Sequence, residues 1–191
     1  MERTDVRRAW IRKNALIFLY LLSIVSANVV TAALTPLSFG PLVVPAGTLI
    51  VGLIFVLRDF VQQAIGRGRT YAVIAVAMVV SAVSSYLLGD TLWIVGASAL
   101  TFALSESTDT EIFSRLRLPM STRILYSGLI GGVLDSVIFV LVGLSPLGAG
   151  ILPWEAVGMA IAGQIVFKSL MQLLAAAAVR PFQSRFDARS S

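Results

Sequence analysis

Six apolar stretches, most close to twenty residues long, recur along the chain at roughly 14–35, 46–65, 70–88, 91–106, 123–144 and 154–180. A helix rising 1.5 Å per residue crosses a hydrocarbon core of about 30 Å in about twenty residues. The pattern therefore predicts an all-α integral membrane protein, a compact bundle of six transmembrane helices. Between the first two spans, PLSFGPLVVP (36–45) carries three prolines and is apolar, which predicts an ordered lid or re-entrant turn. The longest polar stretch, 106–122, predicts a short surface helix. The opening MERTDVRRAWIRK leads into a span too long for a signal-peptide core and is expected to be retained. The organisation expected is an N-terminal segment at 1–13, a six-helix transmembrane domain at 14–180 and a C-terminal tail at 181–191.

The basic residues orient this frame. Arg3, Arg7, Arg8, Arg12 and Lys13 precede the first span, and Arg67 and Arg69 separate the second and third. Arg115, Arg117 and Arg123 lie between the fourth and fifth, and Arg180, Arg185 and Arg189 follow the sixth. The opposite loops at 36–45, 89–90 and 145–153 hold no Lys or Arg. Cytoplasmic loops carry the excess of basic residues, so both termini are expected inside (N-in/C-in), in the bacterial inner membrane. The pI near 10.2 is then a topology signal, and no nucleic-acid partner is expected; the partner surface is membrane lipid.

Composition agrees. The chain is 57% hydrophobic with a mean hydropathy of +0.89 and only 13% charged residues, whereas soluble domains average about 45–50% apolar and about 25% charged. It has no Cys and no His. That excludes disulfides, thiol catalysis, Ser-His triads and most zinc or haem ligation. No phosphate-cradling or dinucleotide motif appears, so no ATP hydrolysis, cofactor, metal or enzymatic activity is expected.

Two basic residues do not fit the loops: Arg58 and Lys168 lie deep in spans. Phe55, Arg58, Asp59, Gln62 and Gln63 fall at i, i+3, i+4, i+7 and i+8, one helical face. The opposite face, Val51, Ile54, Leu57, Val61 and Ala64, suits lipid. Gln164, Lys168 and Gln172 form a second polar stripe at spacings of four. Asp135 stands in the fifth span beside Gly128, Gly131 and Gly132, which let a backbone or a flat ligand approach. Asn28 lies beside a small-residue stripe, Ser23, Ala27 and Thr31, while Glu106 and Asp109 fall near the cytoplasmic mouth with Arg123. A charged side chain at mid-span costs about 2.5–3.5 kcal/mol on insertion scales and faces protein or water. The shared polar faces therefore predict a central cavity. Arg58, Lys168, Asp59 and Asp135 cancel in sign, which favours a neutral or weakly charged polar solute. Carboxylates and amides pair with heterocycle edges, and Phe55, Phe102, Phe139, Phe167 or Trp93 supply flat walls.

Three stretches then carry a resemblance. RDFVQQAIG (58–66), ASALTFALSESTDTEIF (97–113) and RILYSGLIGGVLDSVIFVLVG (123–143), followed by Lys168 in the last span, resemble the queuosine-precursor transporter family, also called the vitamin uptake transporter family. The resemblance covers about 45–170. It implies import of 7-cyano-7-deazaguanine or 7-aminomethyl-7-deazaguanine across the inner membrane, with Asp59, Asp109, Arg123, Asp135 and Lys168 as counterparts of family residues. Gln63 departs from the glutamate often found there, so no proton is carried at that position. The substrate-binding set expected is Asp59, Gln63, Asp135, Gln164, Lys168, Arg58, Asn28, Phe55 and Phe139, acting by alternating access around a midplane site. An alternative is the substrate-binding subunit of an energy-coupling-factor vitamin importer, which would dock ATPase partners through the Ser23, Ala27, Thr31 stripe. Association as a homodimer stays open.

Overall fold

A computed structural model describes residues 2–40 and 42–182, and its elements follow the hydropathy pattern closely. Six helices form: α1 (Glu2–Ala33), α2 (Thr48–Ile65), α3 (Arg67–Leu87), α4 (Leu92–Arg115), α5 (Met120–Ile138) and α6 (Trp154–Val179). Five of these elements (α5 with its π extension) are long and apolar enough to cross a membrane. The exception is α4, whose second half holds Glu106, Asp109, Glu111 and Arg115; it nevertheless packs between α3 and α5 as part of the same bundle. The separate surface helix expected at 106–122 does not exist. The helical register runs unbroken from α4 to Arg115, and the chain turns at 116–119 just before α5. Likewise α1 begins at Glu2, so the basic opening segment continues the first helix. Arg185 and Arg189 lie outside the described residues.

Helix ends have local causes. The Thr91 hydroxyl accepts from the Ile94 amide at 3.4 Å and caps α4. Gly66 alone separates α2 from α3, with φ at +82°. Only glycine enters that region without a Cβ clash, which allows the chain to reverse in one residue.

The described residues of the 36–45 loop form a small antiparallel hairpin, β1 (Leu37–Phe39) with β2 (Leu42–Val44). Strand β2 packs on α6. The ring of Phe39 lies 4.8 Å from that of Phe167, 13 residues past Trp154 and so about 20 Å along α6. The hairpin thus runs back alongside the bundle toward mid-depth.

The bilayer accounts for the surface. Phe18, Leu22, Val76, Val79, Val83, Leu173 and Leu174 are exposed, as suits helices whose solvent is hydrocarbon. Trp10 near one end, and Tyr86, Trp93 and Trp154 near the other, are also exposed, the arrangement of interfacial aromatic belts.

Inside, α2 touches each of the other five helices. Its expected lipid face is therefore a buried one: Ile54 and Val61 pack with Tyr20, Ile24 and Ala27 of α1 and Ala77 of α3. A lone amphipathic helix would turn that face to lipid, but here the exposed residues are Leu49 and Leu53 instead. A second apolar cluster, Phe113, Met120, Ile124 and Val179, closes the end that carries the termini. A third, Val140, Val157 and Ala160, stands at the loop end. The space between holds the polar side chains.

After α5 the chain widens into a π turn, Phe139–Leu144, where the Ser145 amide reaches back five residues to the Val140 carbonyl at 2.8 Å. Its Val142 carbonyl accepts from the Trp93 indole at 2.8 Å. Such turns are rare and recur at functional sites. Hydropathy at 123–144 predicts only a continuous helix.

Candidate functional site

A cavity of about 300 Å³ occupies the loop-end half of the bundle. Its rim carries Ala32, Pro45, Asp90, Leu144 and Ile151, all near the ends of helices opposite the termini. Its deep end reaches Phe55, Glu106, Asp135, Gln164 and Lys168 near mid-span. Phe55, Phe102 and Phe139 provide three aromatic walls from α2, α4 and the π turn. The other two expected aromatics lie elsewhere: Phe167 stacks on the hairpin and Trp93 binds the π turn.

The lysine at the floor is fully engaged. The Lys168 ammonium donates to Asp135 Oδ2 at 2.5 Å, Gln164 Oε1 at 3.0 Å and Ser136 Oγ at 3.1 Å. It is 2% exposed, while the Asp135 side chain retains 17% exposure and accepts a longer bond from Ser105 Oγ at 3.4 Å. The ammonium uses its three protons, and Asp135 keeps acceptor capacity toward the cavity. Two buried groups on the wall lack any protein partner: Gln164 Nε2 and Thr101 Oγ1. Gln164 spends its carbonyl on Lys168, and its amide nitrogen has no hydrogen-bond partner within the protein.

Toward the termini, a second polar layer centres on Arg58, whose side chain is fully buried. Its Nη1 lies 3.0 Å from Asp59 Oδ1, its Nε 3.1 Å from Glu106 Oε2, and its Nη2 contacts Asp109 Oδ2. Nη1 also donates to Gln62 Oε1 at 2.7 Å. Gln62 in turn donates to the Thr110 carbonyl at 3.1 Å and Ser114 Oγ at 2.7 Å. Beyond it, Arg123 donates to Gln63 Oε1 at 3.1 Å and lies 4.4 Å over the Phe113 ring.

Among the expected substrate-binding residues, six line the cavity: Asn28, Phe55, Asp135, Phe139, Gln164 and Lys168. Asn28 also ties α1 to α3 through Ser81 and Ser84. Arg58, Asp59 and Gln63 share their helix face as expected but lie below the cavity, among the ionic layer and its closing end. Glu106 and Asp109, expected as solvated mouth residues, are buried at 1% and 0% exposure. The continuation of α4 carries them inward, and Arg58 holds both. The formal charge balance expected from four residues therefore fails, since two more acids join it.

The glycines of α5 serve packing. A Cβ on Gly131 would stand 3.1 Å from the Asp109 Cβ and 3.3 Å from the Phe55 ring, and one on Gly128 would strike the Gln172 amide. The α1 stripe is used in the same way: Ser23 and Ala27 are buried, and a Cβ on Gly47 would strike Thr31 and the Ala27 carbonyl. Sequence reading missed Ser98 and Thr101 on the cavity wall. The signal was present, because Ser98, Thr101 and Ser105 fall at i, i+3 and i+7 on α4.

Against known proteins, residues 82–180, just over half of the chain, match the family model described as "Putative vitamin uptake transporter". No curated protein and no solved structure matches the chain.

Proposed function

The chain belongs to the vitamin uptake transporter family, a multi-pass membrane protein, and from that premise we propose that it imports a 7-deazaguanine precursor of queuosine. The substrate is 7-cyano-7-deazaguanine or its aminomethyl relative, carried across the bacterial inner membrane with both termini in the cytoplasm. One observation carries the reading: a mid-span cavity walled by three phenylalanines, with the buried Gln164 amide and Thr101 hydroxyl lacking protein partners. Its volume is at the lower end of small-molecule pockets, about 300–1,000 Å³, which suits one bicyclic heterocycle.

Chemistry assigns the contacts. A guanine-like edge presents adjacent N–H donors, and Asp135 faces the cavity as a carboxylate with acceptor capacity to spare. Gln164 donates to the ring's acceptor edge, while Asn28 of α1 and Thr101 of α4 also line the cavity. Phe55, Phe102 and Phe139 sandwich the ring plane. Lys168 holds Asp135 in place and balances its charge. The cavity opens at the loop end and the Arg58 layer closes the other, so alternating access requires that layer to part for release.

Uptake of a radiolabelled 7-deazaguanine precursor by precursor-deficient cells expressing this chain alone tests the proposal. Asp135→Asn and Lys168→Met are each expected to lower uptake at least about tenfold, the loss of one charge-assisted contact, at unchanged expression. Uptake that persists in both variants would remove the site assignment. Absence of uptake without an added ATPase would favour the energy-coupling-factor reading, for which Thr31 of the α1 stripe is exposed while Ser23 and Ala27 are buried inside the chain.

A further inference from the structure

Among the described residues, four carboxylates lie within the bundle: Asp59, Glu106, Asp109 and Asp135. Two cations, Arg58 and Lys168, face them directly. Arg123, partly buried at the closing end, is the third cation within reach of the layer. Even with Arg123 counted whole, the acids exceed the bases by one. An uncompensated charge at this depth costs several kcal/mol, so something positive fills the deficit. Among the described residues no group of three or more His, Cys, Asp or Glu could hold a metal ion. The point on which Asp59, Glu106 and Asp109 converge is already taken by the Arg58 guanidinium. A proton is the cation that needs no further room.

Position selects the carrier. Asp135 is held by Lys168 at 2.5 Å, and Asp59 and Asp109 lie outside the cavity lining. Glu106 alone belongs to both layers: Oε2 is 3.1 Å from Arg58 Nε, and the residue lines the cavity floor. Water in the cavity can therefore exchange protons with it, while the other two acids are sealed behind it. The groups facing Glu106 are Arg58 and Asp59 from α2, Asp135 from α5, Tyr20 from α1 and Asp109 on its own helix. Lys168 of α6 acts on it through Asp135, and the end residues of α3, Arg67 and Tyr71, are engaged instead by Glu111. The unpartnered Thr101 hydroxyl and Gln164 amide on the same cavity mark it as a place where a ligand is bound.

We infer that Glu106 is the proton-binding site of the transporter, loaded from the cavity and coupled to its occupant. A carboxylate only accepts hydrogen bonds, but a carboxylic acid donates one. A protonated Glu106 thus offers an O–H to an acceptor on the bound ring, and the ring in turn holds the proton in place. Protonation also releases one of the three acids competing for Arg58, which loosens the layer that closes the exit. One proton enters with one substrate and leaves with it, so transport is symport. The coupling rests on the proposed substrate; the proton site itself does not.

Two measurements on the full chain keep these apart. In purified protein at neutral pH, infrared spectroscopy is expected to show the carbonyl stretch of a buried carboxylic acid, shifted in heavy water. Glu106→Gln removes it and Glu106→Asp, which shows that the fold survives change here, retains it. Absence of the band in wild type, or its persistence in Glu106→Gln, overturns the inference. In proteoliposomes, a pH gradient of one unit, acid on the loop side, is expected to drive up to about tenfold accumulation of labelled 7-cyano-7-deazaguanine, a response Glu106→Gln loses. Accumulation indifferent to the gradient overturns the coupling. A Glu106-dependent band in a protein that carries no deazaguanine supports the proton site and sinks the substrate reading.

Discussion

At the scale of single residues, Arg58 is where the interior is most exposed to damage. Its guanidinium faces three carboxylates through three different nitrogens. Truncation strands those acids in a medium where neither water nor a cation can reach all of them. Breaking a buried ionic group by removing one partner costs about 3–5 kcal/mol, so Arg58→Met is expected to lower the melting temperature sharply in detergent. Arg58→Lys should recover only part of this, since an ammonium is a single point and cannot serve three directions at fixed spacing. Thermal unfolding of the purified variants checks both, and a methionine variant melting with wild type would show that the layer carries no net stability. Much of this layer was legible in the chain. The i, i+3, i+4, i+7 run placed Arg58, Asp59 and Gln62 on one buried face. What the run could not reveal was the destination of Arg58, because its partners Glu106 and Asp109 lie some fifty residues away and read locally as a polar helix end.

At the scale of elements, glycine decides how closely the helices approach. A Cβ on Gly52 would overlap that of Met171, at the crossing of α2 and α6. No rotamer relieves a clash between two β-carbons. Gly52→Ala is therefore expected to destabilise by about 1–3 kcal/mol through overpacking. Gly132 makes the contrasting case, where an added methyl would meet Lys168 Cβ at 3.5 Å, an ordinary contact. There the helix propensity of alanine should dominate, for a gain of about 0.5–1 kcal/mol. Opposite shifts in thermal unfolding confirm this; equal shifts would mean the α2–α6 crossing is looser than its geometry. Hydropathy located all six helices because burial of apolar length is a local property of the sequence. The lipid-facing side of α2 was misread, since which face meets lipid depends on neighbours that periodicity does not name.

For the whole molecule, the separation of basic from neutral ends implies an orientation that labelling can read. The chain contains no cysteine, so single-cysteine variants give an unambiguous signal. Leu147→Cys, at an exposed loop-end position, should react with an impermeant maleimide in intact spheroplasts. Arg117→Cys, in the exposed 116–119 turn, should react only after permeabilisation. The reverse pattern would invert the bundle and make the cavity face the cytoplasm. Six helices and the charge bias of the segments between them were readable from the chain alone, but the depth of the cavity was not, because it is bounded by side chains from α1, α2, α4, α5 and α6 together.

The π turn at Phe139–Leu144 has one residue more than an α-helical ladder would hold there. Each residue of an α-helix turns the chain by about 100°, so the surplus one re-aims everything downstream of Phe139. The wall that Leu144 gives the cavity therefore depends on a miscount in the helix. A chain one residue shorter would coil more regularly and present a different surface to its cargo.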